Sequence, residues 1–68
     1  MSEQEADTWF RAWMRRVHDL GDGYTATAPH GRYKFYKAVR HGRLGGVRVE
    51  WKCRDFVQMV EAMKASGQ

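Results

Sequence analysis

The side chains that could do covalent or metal chemistry in this chain are few and scattered. The serines, Ser2 and Ser66, lie near the two ends, and Cys53 is the single cysteine. A nucleophile needs a base within hydrogen-bonding reach, and no motif here supplies the pair. His18, His30, His41 and Cys53 lack the close C-x-x-C or H-x-x-x-H spacings that place ligands on one face. No glycine-rich run matches a nucleotide-phosphate fingerprint. The expectation is a chain that is not an enzyme and has neither a resident metal nor a cofactor.

Charge is the chemistry the sequence does concentrate. Residues 1–22 hold Arg11, Arg15 and Arg16 against five acids, and residues 55–68 hold Lys64 against Asp55 and Glu61. Between them, Arg32, Lys34, Lys37, Arg40, Arg43, Arg48, Lys52 and Arg54 face Glu50 alone, a balance of +7 in a chain whose net charge is +4. Such asymmetry points to a polyanionic partner or to electrostatically steered association. Lysine and arginine neutralise phosphates and release counterions. An exposed Tyr36 ring would let an unpaired base stack for about 1–3 kcal/mol. The candidate binding residues are therefore Arg32, Lys34, Tyr36, Arg40, Arg43, Arg48, Lys52 and Arg54. Arg11, Arg15 and His18 form a second cationic line at helical spacing, but Glu3, Asp7 and Asp19 lie close enough in sequence to partner them.

These residues need a scaffold. At 68 residues the chain makes one domain, 1–68, and folding hides only about 60% of its unfolded surface. Ser2 followed by Glu5 is a capping box, and Ala6, Trp9, Phe10, Trp13, Met14, Val17 and Leu20 form one helical stripe that stops at Gly21. This predicts a helix over 3–20 with Trp9, Phe10 and Trp13 in the core. "YTATA" at 24–28 predicts a strand. Tyr33, Phe35 and Val39 alternate with Lys34, Tyr36 and Arg40, which predicts a second strand whose buried face holds the former set, with Lys37 snorkelling at the core edge. Val47, Val49 and Trp51 alternate with Arg48 and Glu50 in a third.

A two-residue turn at His41-Gly42 would pair Phe35 with Arg48, which burial forbids. A bulge or wider loop at Gly45-Gly46 is predicted instead, setting Phe35 against Val49 and Tyr33 against Trp51. Cys53, Phe56, Val57, Val60 and Met63 predict a closing helix over 53–65. The expected fold class is α+β, in the order α-β-β-β-α. A three-stranded antiparallel sheet carries both helices on one face, which leaves Lys34, Tyr36, Arg40 and Arg48 on the open face with Thr25 and Thr27, or with Tyr24 if the first hairpin loop is one residue shorter.

In order and length this resembles the double-stranded-RNA-binding domain, and "APHGRYKFYKAVRHGRLGG" is similar to that family's Pro-x-His loop and strand hairpin. The resemblance implies phosphate contacts from the start of the last helix. Here that stretch is "KCRDF", with Lys52 and Arg54 followed by Asp55 where the family runs on in lysines.

Two functions follow as expectations. The first is a small non-enzymatic binding module whose basic sheet face engages nucleic acid or an acidic surface of a nucleic-acid-handling complex. The alternative is an inhibitor of the phage or plasmid accessory type, as anti-CRISPR proteins are, which blocks a host complex by direct protein binding. A lone cysteine, an acidic N-terminus without a signal pattern and the lack of a long apolar run place the chain in the cytoplasm, away from membranes.

Overall fold

The computed structural model describes all residues, Met1–Gln68. The N-terminal helix α1 spans Glu3–Asp19 and begins as its capping box dictates. The Ser2 hydroxyl accepts from the Glu5 amide at 3.1 Å, and the Ser2 amide donates to the Glu5 carboxylate at 3.3 Å. Those bonds hold the Glu5 carboxyl below its usual pKa. The strands β1 (Gly23–Thr27), β2 (Tyr36–His41) and β3 (Val47–Cys53) form an antiparallel sheet in the order β1-β2-β3. The C-terminal helix α2 (Phe56–Ala65) is capped by Asp55, whose carboxylate accepts from the Gln58 amide at 2.9 Å. The order α-β-β-β-α is thus as the periodicities indicate. Asp55 ends the basic stretch because the helix needs an acceptor there.

One core joins both helices to one face of the sheet, through Ala6, Phe10, Trp13 and Val17 of α1, Ala38 and Trp51 of the sheet, and Met59, Val60 and Met63 of α2. The strand face that enters this core is the opposite of the expected one. Ala26, Ala38 and Trp51 lie side by side across the three strands, and Tyr36 pairs with Cys53. Tyr36, Ala38 and Arg40 therefore point toward the helices, while Phe35, Lys37, Val39 and His41 point away.

Volume explains the reversal. Phe10, Trp13, Trp51 and Phe56 already fill a small core, with Trp13 edge-on to Trp51 at 6.0 Å and Phe10 edge-on to Phe56 at 5.6 Å. The central strand beneath them must offer a small side chain, and Ala38, fully buried, is the one that fits. Tyr33 and Phe35 would overfill the space. Trp9 is only partly covered, with the Arg16 guanidinium 5.6 Å from its ring.

Val39 is buried on the open face by polar neighbours. It pairs with Thr25 and Glu50 and lies between Lys37 and His41. Lys37 reaches Glu50 at 3.6 Å, and Thr25 meets the His41 ring at 2.9 Å, so two polar bridges enclose it. Lys37 is thus an ion-paired residue of the open face, not one at the core edge.

The hairpin between β2 and β3 has the wider loop the glycines suggest. Gly42 donates to the Gly46 carbonyl and Gly45 to the Gly42 carbonyl, both at 2.9 Å, and Gly45 takes a φ of +83° that favours glycine. The expected pairings do not form, since Val49 and Trp51 lie opposite Arg40 and Ala38 and not opposite Phe35 and Tyr33, a shift of five residues. Arg40 opposes Val49 and His41 opposes Val47, leaving Arg48 as the extra residue of a bulge.

Candidate functional site

The eight candidate residues form two groups at opposite ends of the sheet, not one continuous face. Arg40, Arg43 and Arg48 gather at the hairpin end. Lys52 and Arg54, with Arg32 and Lys34, surround the start of β2. Tyr36 joins neither group, because it is half-buried with its ring 5.5 Å from Phe56.

At the hairpin end the organising residue is Asp22, in the short link from α1 to β1. Its side chain is 7% exposed, and Oδ2 accepts from Arg40 Nε at 3.0 Å, from Arg40 Nη2 at 2.8 Å and from Arg48 Nη1 at 3.1 Å. Arg40 also donates through Nη1 to the Gln68 side-chain oxygen at 2.9 Å. An arginine on the helix side of the sheet is tolerated because those partners satisfy it. The bulge brings Arg48 to the same carboxylate, whereas strict alternation would send it to the open face. Arg43 lies against Gly21, where an added Cβ would come within 2.9 Å of its Nε. Arg40 and Arg48 thus share one carboxylate, with Arg43 beside them unpaired, in a shallow cleft of about 710 Å³ also lined by Leu20, Leu44 and Val47.

The hydrogen bonds from Arg40, reinforced by the charges of Arg48 and Arg43, hold the Asp22 carboxyl below the usual aspartate range near 3.9 despite its burial. A group with a depressed folded-state pKa stabilises the fold above its unfolded value, and that contribution is lost as pH falls through the folded value. Asp22→Asn is therefore expected to destabilise the protein at neutral pH. Its deficit against wild type should shrink in urea melts taken progressively below about pH 4. A deficit that stays constant down to pH 2 would contradict the ion-paired role of Asp22.

At the other end, the Phe35 ring is flanked by cations. Lys52 Nζ lies 4.4 Å and the Arg54 guanidinium carbon 5.4 Å from its centroid, and Tyr33 meets it edge-on at 5.8 Å. His30 and Tyr33 exchange backbone hydrogen bonds at 3.1 and 3.0 Å, closing a tight turn over Gly31 and Arg32. Gly31 has a φ of +58° there. This turn presents Arg32, Tyr33 and Lys34, all exposed. Arg32, Lys34, Lys52 and Arg54 form no ion pair, since the carboxylates that pair do so elsewhere, on Arg11, His18, Lys37, Arg40, Arg48 and the N-terminal amine.

Sequence reasoning missed Asp22, Tyr33, Phe35, Leu44 and Val47. Asp22 sits between two glycines directly before the basic block, the one signal that could have marked it. Tyr33 and Phe35 were assigned to the core.

No helix is long and apolar enough to cross a membrane. No protein-family model, curated protein or solved structure matches the chain.

Proposed function

We propose that this chain is a non-enzymatic binding module that takes single-stranded nucleic acid at the Phe35 end of its sheet. The observation that carries this reading is the grouping of four unpaired cations, Arg32, Lys34, Lys52 and Arg54, around the exposed Tyr33 and the cation-flanked Phe35. Phosphates supply the missing counter-charge, and Tyr33 takes the stacking role first assigned to Tyr36. The middle of the open face contributes little, because Lys37 is neutralised by Glu50 and Val39 is enclosed.

Four phosphate contacts on a single strand give a slope of log affinity against log salt of about −2.8. Titration of a dye-labelled DNA or RNA strand of about 15 nucleotides, followed by fluorescence anisotropy, measures it. Duplexes of both kinds serve as the comparison, and the single strand is expected to bind more tightly because only it has unpaired bases to offer Tyr33. Lack of binding to any of these at low salt would end the reading.

A further inference from the structure

The hairpin end has a composition that a nucleic-acid ligand does not explain. Leu44, at the tip, is 102% exposed, and Val47 and Leu20, which share its cleft, are 67% and 62% exposed. Turn tips favour Gly, Asn, Asp, Pro or Ser for reasons of local backbone geometry, and leucine has no such reason to be there. Single exposed apolar side chains are common, but three around one cleft with a cationic rim are a feature of interaction surfaces.

Two of the cations beside them are held in place by side-chain bonds. Arg40 and Arg48 are fixed by Asp22, and the loop that bears Arg43 and Leu44 is closed by two backbone hydrogen bonds. Asp22 takes all three of its guanidinium bonds on Oδ2, and Arg43 has no carboxylate partner. The site is thus short of negative charge and of apolar cover together. A phosphodiester backbone supplies the first but gives leucine and valine nothing to bury against.

We infer that the hairpin-end cleft, lined by Leu20, Leu44 and Val47 with Arg43 and Arg48 at its rim, docks a protein segment in which an aliphatic or aromatic side chain is flanked by carboxylates. Arginine guanidinium groups suit such carboxylates because they bind them through paired hydrogen bonds. The bond from Arg48 to Asp22 holds one of them in position, which reduces the ordering cost of binding. The cleft is separate from the Phe35 end, since the four residues from Arg48 to Lys52 span about 13 Å along β3. One chain could therefore hold a strand at one end and a protein at the other.

A random peptide library displayed on phage and panned against the immobilised full chain tests this without naming a partner. Enriched sequences are expected to carry an apolar anchor with at least two nearby Asp or Glu residues. For a synthetic peptide of that sequence, Leu44→Ser and Arg43→Glu are each expected to weaken binding at least fivefold. Leu44 packs on nothing in the chain, so its variant should keep the wild-type circular dichroism and melting profile. Failure to enrich any peptide, enrichment of peptides without acids, or an effect below fivefold for either variant would overturn the assignment. So would co-sedimentation with phosphatidylserine-containing vesicles that Leu44→Ser abolishes, which would give the tip to a membrane surface. The panning uses no nucleic acid, so it can succeed or fail whatever the labelled strands do.

Discussion

Replacing Trp13 by alanine is expected to remove about half or more of the chain's stability. Trp13 is 1% exposed and links helix to sheet, with its ring 5.3 Å from Phe10, 5.9 Å from Tyr24 and 6.0 Å from Trp51. Deleting a buried aromatic ring costs about 3–5 kcal/mol. A chain of this length has roughly 3–10 kcal/mol in total, at about 0.05–0.15 per residue. Urea unfolding followed by far-ultraviolet circular dichroism should show a midpoint lowered by half or more, or no cooperative transition.

Trp13→Phe separates packing from polarity. The indole Nε1 is buried without a hydrogen-bond partner, and an unsatisfied buried donor costs about 1–3 kcal/mol. Phenylalanine loses ring volume but also removes that donor. The two changes oppose each other, and its stability is expected to stay within about 1 kcal/mol of wild type. A Trp13→Phe variant as unstable as Trp13→Ala would mean that Nε1–H is bonded in the folded protein.

The helices were legible because helical periodicity and end signals agree, although α2 starts at Phe56 behind its Asp55 cap and Cys53, expected on its stripe, ends β3 instead. Ser2 and Glu5 cap α1, Ala6, Phe10, Trp13 and Val17 repeat at one face, and Gly21 with a φ of +84° ends the turn. The strands were legible as strands, and of the two settings open for the first hairpin the structure takes the one that puts Thr25 and Thr27 on the open face. What was not legible is which side of β2 faces inward. Both of its sets contain rings and aliphatic residues, so alternation alone leaves two solutions, and the observed register lies five residues from the expected one, an odd shift that exchanges the two faces. The deciding fact is volume. Ala38 fits beneath Trp13 and beside Trp51, and a helix-facing Phe35 does not. That choice is made by the assembled core and is absent from any local window of sequence.

The same shift reorganised the candidate site. It turned Tyr36 and Arg40 toward the helices and released Tyr33 and Phe35 to the surface. The bulge then moved Arg48 to Asp22. The charge imbalance over residues 23–54 was a sound indicator that cations would outnumber their partners. It could not say that Arg40 and Arg48 would be tied to one acid, because Asp22 lies outside that block and its burial depends on the α1–β1 link. The cations of that block left without a carboxylate are consequently Arg43 in the hairpin loop and the four at the turn and around Phe35.

The sharpest consequence of that division is a charge reversal. Lys52→Glu combined with Arg54→Glu is expected to abolish most single-strand binding while leaving the fold intact. Both side chains are exposed, and outside the binding role they supply cation–π contacts to Phe35 worth about 0.5–1 kcal/mol each at an exposed site. Each single-strand phosphate contact contributes roughly 0.7 of a decade in affinity at 0.1 M salt. Losing two weakens binding about 25-fold, and the repulsion of the new carboxylates adds to that. The salt slope should fall from about −2.8 to about −1.4. Reversal at Arg43 is the comparison that locates the site. The hairpin end is farther from Lys52 than the Debye length of about 10 Å at that salt, so Arg43→Glu should change strand affinity by no more than about threefold. If Arg43→Glu instead weakens strand binding as much as the double reversal does, the strand crosses the whole sheet and the two ends are one site. If neither variant changes it, the cations around Phe35 are not what holds the strand.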